Sequence, residues 1–212
     1  KVFLYSENSN DFYSSTATEN SDVNLQRNTA YNQTDLLQKF FIPLTDKTEL
    51  KLNFQYSTSS DIPRFDRLDE KHEGTLKFAE WYYGPQERLL ISPQLDINPG
   101  KSWLDKGTFT LAYQNIKESR IQRKLSSLER SYRNENVDVF SFNGDFMIPL
   151  SKNENRAFTY GFEFLHNDVN SSAFGKTLDV LGNDIIGFSD NFNVQTRYPD
   201  GGSSYVSSAL YL

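Results

Sequence analysis

Apolar and polar side chains alternate along several segments of this chain with a period of two residues. In residues 49–57 the apolar positions are Leu50, Leu52, Phe54 and Tyr56, and the polar positions are Lys51, Asn53, Gln55 and Ser57. A β-strand places successive side chains on opposite faces, whereas the apolar positions of a helix repeat every three to four residues. The alternation therefore predicts strands that have one apolar and one polar face.

The same pattern recurs along the whole chain. It is strong in residues 108–114, 139–148 and 158–165, and weaker in residues 2–6, 31–44, 75–95 and 205–212. About eight strands are thus predicted, several of them near the roughly 9–11 residues that a tilted strand needs to cross a bilayer.

Short and long connections separate these strands. Short reversals are predicted at residues 41–49, 96–106 and 147–156, and the first and third share an Ile-Pro-Leu-Ser/Thr sequence before a charged turn. Long polar connections are predicted at residues 7–27, 58–74, 117–135 and 168–203. Short periplasmic turns and long extracellular loops are typical of an outer-membrane barrel. The fold class predicted is thus all-β, an antiparallel transmembrane β-barrel segment of about eight strands.

The alternation also assigns side chains to the two sides of such a barrel wall. The residues assigned to the lumen are Lys51, Asn53, Gln55, Ser141, Asn143, Thr159 and Glu163. Those assigned to lipid are Leu50, Leu52, Phe54, Phe140, Phe142, Phe158, Tyr160 and Phe162. Because only every second residue meets lipid, the chain can be 15% aromatic and still have a mean hydropathy of −0.64. No run of 18 apolar residues, which a transmembrane helix would need, is present.

Charge and residue types argue against several functions. A net charge of −6 argues against nucleic acid as a partner, because phosphate binding requires clustered basic residues. The chain has no Cys and only two His, and it lacks the common nucleophile, phosphate-loop and zinc motifs. We therefore expect no enzyme activity, no cofactor and no metal site. The acidic residues Asp66, Asp69, Glu70 and Glu73 alternate with basic ones, which favours a solvated loop.

Two segments allow more than one interpretation. Residues 117–135 have apolar side chains at helical spacing and many arginines, and a short helix, an arm for acidic ligands or two strands extending beyond the membrane all fit. A charged surface loop is the favoured interpretation. The aromatic run at residues 81–83 and Trp103 are expected at the membrane interface, with packing in a soluble β-core as the alternative.

Five segments carry a resemblance to a known family. They are residues 32–40, 60–68 (Ser-Asp-Ile-Pro-Arg-Phe-Asp-Arg-Leu), 78–86 (Phe-Ala-Glu-Trp-Tyr-Tyr-Gly-Pro-Gln), 118–120 (Glu-Ser-Arg) and 197–205. In this order they resemble the barrel of TonB-dependent outer-membrane receptors, particularly the haem, haemoglobin and siderophore branch. The resemblance covers most of the chain.

The resemblance implies a barrel of about 22 strands, closed by an N-terminal plug, in the outer membrane of a Gram-negative-type bacterium. Such receptors take up a scarce iron-containing ligand, haem or a ferric siderophore, with energy passed to the plug by a TonB-type coupling protein. Residues 1–212 would form part of this one barrel domain, without the plug and the remaining strands. Neither His72 nor His166 lies in a matching haem motif.

Ligand contacts are expected in the loops of such a receptor. The candidates are Arg64, Phe65, Arg67, Arg120 and Arg123. A guanidinium group offers several donors in a fixed fork to an anionic ferric complex, and Phe offers a flat apolar face.

Two other functions remain open. The chain could form a self-contained eight-stranded outer-membrane barrel with an adhesin or structural role, because eight strands can close around their own side chains. It could also be a soluble secreted β-protein that binds a small ligand.

Overall fold

The computed structural model describes residues 2–3, 25–26, 28–150 and 156–212 of the chain. Most of these residues lie in β-strands, and nearly all strand pairs are antiparallel. The prediction of an all-β, antiparallel fold is therefore confirmed. No helix in the described part of the chain is long and apolar enough to cross a membrane.

The described residues contain fourteen strands and one short α-helix. They are β1 (Val2–Phe3), β2 (Leu25–Gln26), β3 (Gln33–Thr45), β4 (Thr48–Ser59), β5 (Ile62–Pro63), α1 (Phe65–Leu68), β6 (Lys71–His72), β7 (Thr75–Leu76), β8 (Phe78–Tyr83), β9 (Glu87–Ile97), β10 (Lys106–Lys124), β11 (Glu129–Pro149), β12 (Ala157–Leu181), β13 (Asp184–Phe192) and β14 (Gly202–Tyr211). A 3₁₀ turn at Pro199–Gly201 precedes β14.

Ten of these strands form one sheet, in which β3, β4, β9, β10, β11 and β12 follow one another. The far side of β12 pairs with β14 along residues 161–170 and with β13 along residues 175–181. Likewise β10 pairs with β9 up to Lys117 and then with β8. The sheet exceeds the expected eight strands because the short β5, β8 and β13 lie in or beside segments predicted as long connections.

The connections at the two ends of the sheet differ. At one end, called here the turn edge, short turns join β3 to β4, β9 to β10 and β11 to β12. Residues 151–155 of the third turn lie outside the described residues, but the backbone N–H of Leu150 donates to Arg156 O across it, at 2.8 Å. At the opposite end, residues 60–86 carry β5, α1 and β6 to β8 between β4 and β9. The predicted strand at residues 75–95 is thus three strands.

Two of the long connections expected from the sequence are mostly strand. Residues 117–135 are not a charged loop, because β10 and β11 continue through them to a turn at residues 125–128. In residues 168–203, β12 runs on to Leu181 and β13 returns beside it. The expected connection at residues 7–27 lies outside the described residues except for β2. Of the predicted strand at residues 2–6, only β1 is described.

One face of the sheet carries a continuous apolar surface, called here the apolar belt. Cross-strand neighbours on this face include Phe40 and Leu52, Phe54 and Ile91, Leu95 and Phe109, Leu111 and Phe142, Phe146 and Tyr160, and Phe162 and Leu210. All eight residues assigned from the sequence to lipid share this face, and the seven assigned to the lumen share the opposite, polar face. Strand β3 is an exception on the polar face, where it also exposes Leu37 and Phe41.

The apolar belt is open to the surroundings of the chain. Ile91 and Phe140 are both 45% exposed, and Leu210 is 87% exposed. On β9 the belt extends from Leu89 to Ile97, which is about 27 Å along the strand at about 3.4 Å per residue. Of the buried apolar side chains in the described residues, Leu104 lies in the turn between β9 and β10. The others lie in the part of the sheet beyond the belt and in the segments packed on it, and they are Leu68, Ala79, Trp81, Ile121 and Leu178.

A glycine makes room for the rings of the belt. A Cβ on Gly144 would lie 2.4 Å from Phe162 Cε1, a distance too short for any side chain. We expect Gly144→Val to displace this ring and lower the free energy of unfolding by about 1–3 kcal/mol, as overpacking commonly does. Urea unfolding of the purified protein measures the change. Gly187→Val is the control, because its Cβ would have only Asp179 Oδ2 nearby, at 3.7 Å; equal losses in both variants would contradict the prediction.

Candidate functional site

A cavity of 570 Å³ lies on the polar face of the sheet, beyond one end of the apolar belt. Its lining residues are Arg64, Trp81, Tyr83, Arg120, Gln122, Arg133 and Arg197, and the site is called here the arginine cleft. Four guanidinium groups and two aromatic rings thus surround one space. Such a lining suits an anionic ligand that has a flat surface.

Strand pairing brings five of these residues together from three strands, β8, β10 and β11. Beyond Lys117, where the pairing of β10 with β9 stops, β8 pairs with β10 and sets Tyr83 opposite Arg120 and Trp81 opposite Gln122. On its other side, Arg120 faces Arg133 of β11. These positions all fall on the polar face, because the alternation that begins in the belt continues without interruption along β10.

Arg64 enters the cleft from the segment between β5 and α1. Its backbone N–H donates to Trp81 O at 3.0 Å, which continues the pairing of β5 with β8. Its guanidinium carbon lies 4.7 Å from the centre of the Trp81 ring, and its Nη1 donates to Tyr83 Oη at 3.0 Å. Stacking on the indole fixes the guanidinium plane, because cations are attracted to the faces of aromatic rings.

Acidic groups neutralise only part of the charge of the cleft. Asp66 accepts two hydrogen bonds from Arg64, and Glu118 pairs with Arg120 and, at 3.9 Å, with Arg197. Arg133 Nε donates to the backbone carbonyl of Gln195. Four arginines are thus set against two carboxylates. In addition, Arg120 Nε is buried and has no hydrogen-bond partner among the described residues.

The Arg64–Asp66 pair is charged over a wide pH range. Hydrogen bonds from the Arg64 guanidinium hold the pKa of the Asp66 carboxyl below its usual range. The same hydrogen bonds raise the pKa of Arg64. Asp66 therefore stays ionised to lower pH than a free aspartate and keeps Arg64 oriented into the cleft.

The residues proposed from the sequence as ligand contacts divide into two groups. Arg64 and Arg120 line the arginine cleft, although Arg120 lies on strand β10 and not in a loop. Phe65 and Arg67 belong to α1, where Phe65 is 44% exposed and Arg67 pairs with Glu70 at 3.1 Å; neither lines the cleft. Arg123 is also on β10, is 1% exposed, and faces away from the cleft.

Arg123 belongs to a buried ion triad on the opposite face of the sheet. Its Nε lies 3.2 Å from Glu80 Oε2, and Arg130 binds the same carboxylate with two guanidinium nitrogens. Burial lowers the pKa of Arg130, but its hydrogen bonds with Glu80 raise the pKa more, so that it stays charged. The triad joins β8 to the end of the β10–β11 hairpin and so holds Trp81, the next residue after Glu80, in the cleft.

Several cleft residues were not identified from the sequence. Trp81 was expected at a membrane interface, but it is 7% exposed and packs inside the cleft, at 5.3 Å from the Tyr83 ring. Trp103, expected at the same kind of interface, is 62% exposed in the turn between β9 and β10. Arg133 and Arg197 were not singled out. The sequence does hold a signal for Arg133: it and Arg120 are equally far from the turn at residues 125–128, as cross-strand partners must be.

Two of the acidic residues around α1 form ion pairs with basic side chains. Glu70 binds Arg67 and Lys77, and Asp66 binds Arg64. No group of three or more His, Asp or Glu side chains in the described residues is arranged to hold a metal ion. The interpretation as a solvated, salt-bridged loop fits these pairs.

Four of the five segments that carry the family resemblance supply lining residues of the cleft, and the fifth, residues 32–40, contacts one of these four through Asn32. The backbone N–H of Ser60 donates to Asn32 O at 2.8 Å, and that of Gly84 donates to Ser119 O at 3.1 Å. A Cβ on Gly84 would lie 2.1 Å from Ser119 Oγ, so a larger residue here would require the Ser119 side chain to move. Arg64 packs on Trp81, and Arg197 approaches Glu118.

Comparison with protein-family models, with curated proteins and with solved structures finds no match to this chain.

Proposed function

We propose that this chain is part of the barrel wall and surface loops of an outer-membrane, TonB-dependent receptor that imports a scarce iron-containing ligand, haem or a ferric siderophore. The observation that carries the proposal is the position of the arginine cleft, which lies on the polar face just beyond a continuous apolar belt. In this arrangement lipid covers the belt and the ligand enters from the polar side.

The dimensions of the belt support a place in the outer membrane. Along β9 it measures about 27 Å, and a strand tilt of 35–45° reduces this to about 20 Å, close to the roughly 25 Å of barrel proteins. Soluble proteins rarely expose an apolar surface of this extent. The turn edge then lies in the periplasm, and exposed Trp103 lies at that interface.

The charge of the cleft supports an anionic ligand. Four arginines against two carboxylates leave a positive cavity whose aromatic walls suit a planar group, as in haem or an aromatic siderophore. The convergence of four of the five family-like segments on this cleft also favours the receptor over other barrels. Uptake would use the energy-coupling protein through a plug, as the family resemblance implies.

A closed eight-stranded barrel is the second candidate. It requires the two outer strands of the sheet, β3 and β14, to pair with each other. In the described residues β3 pairs only with β4, and β14 pairs only with β12. These free edges favour a wall that continues into further strands, since unpaired backbone groups are costly in lipid.

The proposal predicts that import depends on the arginine cleft. In iron-starved cells that produce the intact protein as their only such receptor, we expect the double variant Arg120→Gln/Arg133→Gln to reduce uptake of the iron ligand by roughly 100-fold, since each charge-assisted hydrogen bond is worth about 1.5–3 kcal/mol. Radiolabelled iron uptake from haem and from a set of ferric siderophores is the measurement.

The matched control is Arg88→Gln, which removes an arginine of the polar face that lies outside the cleft and bonds to Gln114 at 2.8 Å. It should leave uptake unchanged at the same level of protein in the outer membrane. If the wild-type protein fractionates away from the outer membrane, or if uptake continues without the coupling protein, the receptor proposal fails.

A further inference from the structure

A second cavity, of 580 Å³, lies beside the arginine cleft and contains a buried carboxylate. Glu135 on β11 lines this cavity and is 6% exposed. Its Oε1 accepts a long hydrogen bond from Ser171 Oγ, at 3.4 Å. Its Oε2 is buried and has no hydrogen-bond partner among the described residues. A carboxylate in this state lowers the stability of the fold, because water has been removed without a donor in its place.

The other charged groups of this cavity are already paired. Lys117 binds Glu87 at 3.0 Å, and Glu118 pairs with Arg120 and Arg197 in the neighbouring cleft. The Lys117–Glu87 pair alternates to the belt face, so the carboxylates of this cavity on the polar face are Glu118 and Glu135, and Glu135 is the one that no basic side chain of the described residues neutralises. A buried polar group of this kind points to a binding role, since binding sites are where proteins retain such costly groups.

The chemistry of the lining favours an organic cation over a metal ion. Calcium takes six to eight oxygen ligands, and the described residues contain no group of three or more acidic or His side chains that could hold a metal. An ammonium group has three donors and needs only a few acceptors. The Glu135 carboxylate and the Ser171 hydroxyl, which share the polar face, can supply them.

The carboxylate and the arginines are separated by one step of the strand pattern. On the polar face, Glu118 and Glu135 face each other in one row, and Arg120 and Arg133 face each other in the next. Rows two residues apart are about 7 Å apart along the strands.

From this juxtaposition we infer that the site takes a zwitterionic ligand, whose anionic group binds Arg120 and Arg133 and whose ammonium group binds Glu135. The inference rests on the proposed uptake function, because it specifies the ligand class of the same receptor site.

Two simple probes test this inference on the intact protein in lipid nanodiscs. Valerate carries only the carboxylate, whereas 5-aminovalerate adds an ammonium group at the far end of the same chain. We expect 5-aminovalerate to bind about tenfold more tightly, as a charge-assisted hydrogen bond in a buried site allows. In the variant Glu135→Gln the two probes should bind equally, and Arg120→Gln/Arg133→Gln should weaken both. Ligand-observed NMR titration gives the affinities.

Folding of the Glu135 variant is a separate measurement. Because Glu135→Gln replaces a charge that lacks a basic partner, its melting temperature should equal or exceed that of the wild type. Ser171→Ala is the second variant: it removes the hydroxyl that orients Glu135 and should reduce the preference for 5-aminovalerate.

Three results would overturn the inference: no preference in the wild type, a preference that survives Glu135→Gln, or Glu135-dependent binding of Ca²⁺ in place of the ammonium group. In all three, arginine-dependent binding of valerate would leave the proposed function standing. Loss of that arginine dependence would count against the proposed function itself.

Discussion

Glu80→Gln is expected to release the end of the β10–β11 hairpin from β8. The substitution leaves Arg123, which is 1% exposed, without the carboxylate that it binds at 3.2 Å. Breaking a buried ion pair from one side typically costs about 3–5 kcal/mol, because the remaining charge stays out of water. We expect amide exchange in β8 to accelerate by two to three orders of magnitude, which corresponds to about 3–4 kcal/mol, while β4 and β9 in the belt stay protected.

The control for this prediction is Glu70→Gln. Glu70 also binds two basic residues, Arg67 and Lys77, but its pairs are exposed at the surface around α1. Exposed ion pairs contribute little to the stability of the fold, so the rate of amide exchange in β8 should not change in this variant. If Glu80→Gln leaves exchange in β8 at the wild-type rate, the triad does not hold this strand.

Anion binding should fall in Glu80→Gln as well, since Trp81 depends on the position of β8.

The second large effect is expected from arginine in the apolar belt. Phe54 and Phe162 lie on the face proposed to meet lipid, Phe54 near the middle of β4 and Phe162 near the middle of the part of β12 that belongs to the belt. In a membrane barrel an arginine at the bilayer midplane costs about 2–4 kcal/mol. We therefore expect Phe54→Arg and Phe162→Arg each to lower the free energy of unfolding by that amount. The measurement is urea unfolding of the intact protein in phospholipid vesicles.

Gln55→Arg serves as the matched control, because Gln55 follows Phe54 directly and points to the polar face. It should unfold like the wild type. Should all three variants unfold alike, lipid does not cover the belt, and the soluble β-protein considered from the sequence becomes the better interpretation.

The sequence predicts the strands well wherever their two faces differ. Along β4, and along β10 to β12 at the level of the belt, apolar side chains alternate with polar ones. Beyond the belt this contrast disappears, because the same face then carries Asn115, Asp138 and Asp168. Both faces are polar there, so the pattern indicates loops although the backbone pairing continues.

The arginine cleft could be predicted only in part, for a different reason. Arg64 and Arg120 are recognisable as cationic residues in segments expected near a ligand. Which arginines share a cavity depends on the pairing of β8 with residues 120–124 of β10, and no local sequence pattern encodes that pairing. The same limit explains Arg123: its neighbours in sequence suggest an exposed contact, whereas Glu80, distant in sequence, keeps it buried.

Strand β10 runs without interruption from the belt into the cleft, and this fixes how far Arg120 lies from the belt. From Tyr113 at the end of the belt to Arg120 the strand advances by seven residues, about 24 Å along its length. Removing one residue between them would turn the Arg120 guanidinium to the opposite face of the sheet, whereas removing two would keep it on the polar face and bring it about 7 Å nearer the belt. The distance of Arg120 from the apolar belt can therefore change only in steps of two residues while its side chain stays on the polar face.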